Sequence, residues 1–221
     1  MKRHFEQELE LLKTSLIKMG SVAESAVAHS IDALLRQDNA LAQSVIDGDE
    51  RVNQLEVEID TAIVDLLVLQ QPVAIDLRFI LAAQKINNDL ERIGDHAVNI
   101  AESAITLMNS VTREQLLELP DMAVTTQSML RDAIDGFIRS DVVLGRRVLE
   151  LDDRIDDMNR KIRAEVASGM KNGSQSIVGG LELVRVSRNL ERIADLATNI
   201  AEEVIFVVQA RVVKHHAEEK P

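Results

Sequence analysis

Residues 87–102 read NNDLERIGDHAVNIAE, and residues 187–202 read SRNLERIADLATNIAE. A chain that writes one phrase twice has to fold around two copies of one unit. The repetition extends upstream at an offset of 103, where Ser25 matches Ser128, Ile31 matches Ile134 and Asp32 matches Asp135. Asp38 matches Asp141, Leu41 matches Leu144, Val45 matches Val148, and Asp49 and Arg51 match Asp152 and Arg154. The offset falls to 100 at the phrase itself, so the second copy is shorter by three residues, lost near the Gly169–Ser174 stretch GMKNGS, which reads as a helix–helix turn. A unit of about 100 residues is too long for a solenoid repeat and suits a small bundle.

Each copy carries three apolar seams. Phe5, Leu9, Leu12, Leu16, Met19, Ala23 and Ala26 alternate steps of four and three, the spacing of a coiled-coil face. That seam predicts a first helix of about 30 residues, about 45 Å long, to Arg36. Asp38 or Asn39 can cap the next helix. Its seam is Val45, Gly48, Val52, Leu55, Ile59, Ala62, Leu66 and Leu69, ended by QQP at 70–72, because proline disfavours helix in the residue before it. The third seam is Ala83, Ile86, Leu90, Ile93, Ala97, Ile100, Ala104 and Leu107. Asn109 to Leu119 links the halves, with Pro120 at the start of the fourth helix. Only 9 Gly and 3 Pro break 221 residues, too few turn signals for an all-β fold. The expectation is an all-α protein of two tandem three-helix bundles, six long antiparallel helices related by internal duplication. The first bundle is placed at residues 1–110, the second at 111–215, and a disordered tail at 216–221.

A formal charge of −12 repels phosphate backbones, so nucleic acid is not an expected partner. Cations and basic protein surfaces are better matched. Without cysteine the chain has no disulfide, thiolate metal site or thiol nucleophile. The opening MKRHFEQELELL carries acids where a signal peptide is apolar, and no apolar run reaches the ~18 residues of a spanning helix. His4, His29, His96, His215 and His216 include no i, i+4 pair for zinc. No phosphate-binding glycine loop, Ser/His/Asp set or dinucleotide fingerprint is present.

The repeated phrase has a second face. At about 100° per residue, with Glu91 at zero, Asp95 lies near 40°, Asn99 near 80° and Glu102 near 20°, while the seam occupies about 180–260°. Glu191, Asp195, Asn199 and Glu202 repeat this stripe. On the second helix Asp49, Asn53, Glu56 and Asp60 fall within an arc of about 60°. Their counterparts are Asp152, Asp156, Asn159 and Arg163. Helices two and three are antiparallel neighbours in a three-helix bundle, so the two stripes can face each other. Converging carboxylates repel unless protons, basic side chains or hard cations neutralise them. A solvated acidic face with local Arg92 and Arg192 pairs is the plainer reading. Against it, Asn and Asp are poor helix formers, and every polar position of the phrase's stripe recurs in both copies.

LERIGDHAVNIAE and LERIADLATNIAE resemble the signature of the PhoU family. KMGSVAESAV, VIDGDERVNQLEVEID and QPVAIDLRFILAAQKI agree in the same order, so the resemblance spans about residues 5–210. It implies two three-helix bundles in a cytoplasmic protein, commonly a homodimer. It implies a negative regulator of the phosphate-starvation response and modulator of phosphate uptake, which contacts the phosphate ABC transporter's ATPase subunit PstB and the sensor histidine kinase PhoR. The membrane is then reached only through partners. Some members hold iron or other divalent or trivalent metal ions on E/D-x-x-x-D motifs. Here these fall at Glu91/Asp95, Glu191/Asp195 and Asp152/Asp156, with Asp49 followed by Asn53 as the departure. The implied metal residues are thus Asp49, Asn53, Glu91, Asp95, Asn99 and Glu102, and Asp152, Asp156, Glu191, Asp195, Asn199 and Glu202.

Two other classes compete with a non-enzymatic regulator. One is a carboxylate-bridged metal-cluster protein with oxidase-like or storage activity. Di-iron oxidases carry Glu-x-x-His on helices, whereas Gly94 stands three residues after Glu91. The other is a metal-free scaffold or chaperone.

Overall fold

The computed structural model describes residues 2–108, 116 and 118–212, with side chains from His4 onward. Six helices follow in order: α1 Lys2–Arg36, α2 Asn39–Gln70, α3 Ala74–Leu107, α4 Leu119–Arg139, α5 Val142–Asn172 and α6 Ile177–Gln209. The expected tail and the His215–His216 pair lie outside the described residues, as does most of the expected linker.

The boundaries follow local chemistry. Asp38 and Asp141, equivalent in the repeat, both cap: the Leu41 amide donates to Asp38 Oδ1 at 3.0 Å and the Val143 amide to Asp141 Oδ1 at 2.8 Å. α2 stops at Gln70, and Gln71, the residue before Pro72, leaves the helix in the left-handed region with φ 46°. Pro120 sits in the first turn of α4, where its missing N–H costs nothing. The helix begins at Leu119, which is buried in the core rather than part of the linker. The stretch read as a turn from Gly169 is shorter than expected. α5 continues through Asn172 and breaks at Gly173, whose φ of 77° suits glycine.

α1–α2–α3 and α4–α5–α6 each form an up-down-up bundle, and one continuous aliphatic core runs through both. The α3 seam is buried at all eight expected positions. The α2 seam drifts. Gly48 and Leu69 were placed on it and are exposed, while Ile63 is buried where Ala62 was expected to lead. A strict 3.5-residue repeat slips round a helix of 3.6 residues per turn, which takes Leu69 off the core at the far end of α2, whereas Gly48 lies between buried Val45 and Val52 and faces open space.

The bundles join side by side, α3 against α6 and α1 against α4. As the α3 number rises from 85 to 103 its α6 partner falls from 203 to 182. Lys85 Nζ meets Glu203 Oε1 at 2.6 Å, His96 Nδ1 meets Asn189 Oδ1 at 2.8 Å, and Ser103 Oγ donates to Glu182 Oε2 at 2.7 Å. The middle of this antiparallel ladder falls near Ile93 and Ile193, equivalent positions of the repeat, so the halves are related by a local twofold axis. α1 and α4 obey the same sense: Arg131 Nε donates to Glu24 at 2.9 Å, and Ile134 packs over Gly20.

Candidate functional site

The polar stripes of α2 and α3 do converge in the first bundle, but only over half their length. Asp49, Glu56, Glu91 and Asp95 lie near enough to perturb one another. Burial raises the Asp49 carboxyl above the usual range, and the charges of Asp95 and Glu50 add to it. Asn53 opposes that rise by donating from Nδ2 to Asp49 Oδ2 at 3.0 Å. Burial also raises Glu91, joined by the charges of Asp95, Glu56 and Asp49, with Arg92 pulling weakly the other way. Glu56 is raised by burial, then by Asp60 and Asp95. The face is a set of carboxylates that oppose each other's ionisation.

Asn99 and Glu102 are turned elsewhere. Arg185 of α6 donates to Asn99 Oδ1 at 2.8 Å and to Glu102 Oε2 at 2.6 Å, which ties this end of the stripe to the second bundle. His96 likewise turns to Asn189 rather than to the acids, and burial lowers its pKa. Asn199, equivalent to Asn99, hydrogen-bonds Asp89 across the same seam.

The second face differs in its counter-charge. Asp195 is raised by burial, opposed by Arg192, and raised again by Glu191 and Asp156. Arg192 Nη1 donates to Asp195 Oδ2 at 3.1 Å. Arg92 instead points back to Asp89, Nη1 to Oδ1 3.8 Å. The reason is one residue: position 89 is Asp, whereas its equivalent 189 is Asn, so Arg192 has no acid one turn back. Glu191, Asp152 and Glu202 are half-buried and Asp156 is exposed on the same side of α5 and α6.

These are oxygen donors, suited to a hard cation. The first face fits one in chemistry and charge, with Asp49, Glu56, Glu91 and Asp95 as the residues to hold it. The second is partly neutralised by its own arginine. Among the described residues no three acidic or histidine side chains stand close enough to form a ready coordination shell. No helix among them is long and apolar enough to cross a membrane.

Sequence pattern did not single out Asp89, Arg185 or Glu203. Asp89 and Glu203 are 9 % and 6 % exposed, buried between the bundles. The available signal was the mismatch between copies: Lys85 answers Arg185, and Ser103 answers Glu203, the substitutions found where two faces meet unequal partners.

Comparison with known proteins agrees with this architecture. The PhoU domain profile matches twice, over residues 16–104 and 119–204. The chain is 35 % identical over 212 residues to the phosphate-specific transport system accessory protein PhoU homolog 1 of Thermotoga maritima, covering 96 % of this chain and 91 % of that one. It is 37 % identical over 214 residues to the corresponding homolog of Pseudomonas putida, covering 96 % and 84 %. The crystal structure of PhoU from Pseudomonas aeruginosa superposes with a TM-score of 0.90 at 36 % identity, covering 94 % of this chain and all of that one. That of the phosphate transport system regulatory protein PhoU from Streptococcus pneumoniae gives 0.88 at 29 %, covering 96 % and 100 %. A twice-matched domain, a duplicated pair of three-helix bundles and relatives aligned over nearly their full length place the chain in the PhoU family.

Proposed function

We propose that the protein is a non-enzymatic accessory regulator of a phosphate transport system. It restrains the phosphate-starvation response and modulates phosphate uptake by binding the transporter's ATPase subunit (PstB) and a sensor histidine kinase (PhoR) at the cytoplasmic face of the membrane, as a homodimer. The carrying observation is the near full-length match to accessory proteins of phosphate-specific transport systems. An acidic surface, −12 overall, supports protein partners with basic patches over nucleic acid. Capture of both partners by the purified protein tests the reading, together with expression of starvation genes in a deletion strain at high phosphate. Binding and derepression are expected. No capture and normal repression would overturn it.

The mutual repulsion of Asp49, Glu56, Glu91 and Asp95 supports a second element: hard metal ions, iron among them, load on this face and relieve that repulsion. Asp95→Ala with Asp195→Ala should strip metal from protein purified without chelator, read by elemental analysis. Unchanged metal content would remove these positions as ligands.

A further inference from the structure

The first bundle contains a second feature. Between α1, α2 and α3 an open cleft of about 230 Å³ is lined by Ser25, His29, Ser44 and Asp49 over a floor that includes Val45 and Val52. That is below the ~300–1,000 Å³ of pockets for drug-sized ligands, so it suits one amino-acid side chain. Two glycines keep it open. A Cβ at Gly48 would meet nothing within 4 Å, and one at Gly94 would lie 3.3 Å from Val52 Cγ1 and 3.5 Å from Asp49 Oδ1.

Ser25, Ser44 and Asp49 are biased to one role. Ser25 Oγ spends its proton on the Ser21 carbonyl at 2.8 Å, and Ser44 Oγ spends its own on Leu41 O at 2.7 Å. Both oxygens are left with free lone pairs. Asp49 adds a carboxylate whose Oδ2 is held by Asn53, with the negative charges of Asp95 and Glu50 behind it. An anion is opposed here. A cationic donor on an aliphatic stem is matched in both charge and shape, its head on the acceptors and its stem on the valines.

The second bundle supplies an internal precedent. The positions equivalent to His29, Ser44 and Gly48 are Asp132, Arg147 and Leu151. There Leu151 packs against the core and Arg147 Nε lies 3.4 Å from Asp132 Oδ2, so the chain sets an aliphatic side chain of its own in this groove and a largely exposed guanidinium at its rim. In the first bundle Ser44 stands for Arg147, Gly48 for Leu151 and His29 for Asp132, so no guanidinium and no aliphatic stem of its own reaches the groove, and its acid is Asp49, the equivalent of Asp152.

We infer that the first-bundle cleft is a receptor for an arginine side chain presented by a protein partner, held by Asp49, Ser25 and Ser44. The identity of the source rests on the proposed function; the recognition of a guanidinium rests on the cleft alone.

Titration of the full-length protein with N-acetyl-arginine amide, followed by NMR at the His29 ring and the Gly48 and Ser25 amides, tests the recognition. Saturable shifts at these residues are expected, lost in Gly48→Leu and weakened about ten-fold or more in Asp49→Asn. Leucine at 48 copies Leu151, so the fold is retained, and an unchanged helical circular dichroism spectrum checks this. No saturable shift, or saturable binding of N-acetyl-glutamate amide or inorganic phosphate instead, would overturn the assignment. Capture of the transporter ATPase and the kinase by wild type and Gly48→Leu tests the source. Loss of capture of at least one of them with Gly48→Leu is expected. Full capture of both by a variant that no longer binds the arginine probe would overturn the partner as source. No capture by wild type would refute the function reading, and the partner as source with it, while the probe titration still decides the cleft.

Discussion

Asp89, at the seam between the bundles, ties stability to pH through a single side chain. Asp89 is buried, and burial lifts its carboxyl from 3.8 to about 6, against the pull of Arg92 and the Asn199 hydrogen bond. Its folded pKa lies above its unfolded one, so the native state holds the extra proton between about pH 4 and 6. Its share of stability is therefore present at low pH and lost as pH rises through 6. Asp89→Asn, which copies Asn189, should remove that share. Urea unfolding should show wild type losing on the order of 2 kcal/mol relative to the variant between pH 4 and 7, a difference that stays flat if Asp89 titrates normally. The neighbouring ion pair makes a separate case. Glu203 is buried against a half-exposed Lys85 at 2.6 Å, and its Oε2 is buried without a partner. Lys85→Met leaves a buried carboxylate uncompensated and should cost about 2 kcal/mol or more, while adding Glu203→Leu should recover most of the loss.

At the scale of the helix, close approach sets the limits. A Cβ on Gly145 of α5 would lie 3.3 Å from the Ala201 carbonyl oxygen of α6, a backbone atom that cannot rotate aside. Alanine gains about 1 kcal/mol in helix propensity over glycine, yet Gly145→Ala should lower the thermal midpoint, because the two helices must part to admit the methyl. A raised midpoint would show that α5 and α6 slide freely. The helices themselves were legible in the sequence because their seams and caps are local: Leu12, Leu55 and Ile93 are where the four-three spacing puts them, and Asp38 caps as its residue type suggests. The carboxylate stripe was legible only as an angle. Which neighbour meets each part of it depends on packing between the halves, so Asn99 and Glu102 went to Arg185 while Asp49 met Asp95. The cleft was hidden for a related reason. Gly48 matched the seam by spacing and lies between buried Val45 and Val52, but without a side chain it leaves open the space that spacing alone assigns to the core.

For the whole molecule, the local twofold makes each half a partner for a copy of itself. Were α3 to meet another α3 in the antiparallel register it keeps with α6, Lys85 would fall opposite the Ser103 region and Asp89 opposite Asn99, so neither of these charges meets its like. A chain ending at residue 108 should therefore form a homodimer in analytical ultracentrifugation. A stable monomer would show that α6 supplies something α3 cannot. Joining the halves changes the arithmetic of that pairing. Two separate units would associate only as far as their abundance allowed and would come apart on dilution. Units tethered through one chain meet at an effective concentration on the order of millimolar. The α3–α6 seam thus stays closed at any copy number. A protein of this form can be kept scarce in the cell without losing half its structure to the law of mass action.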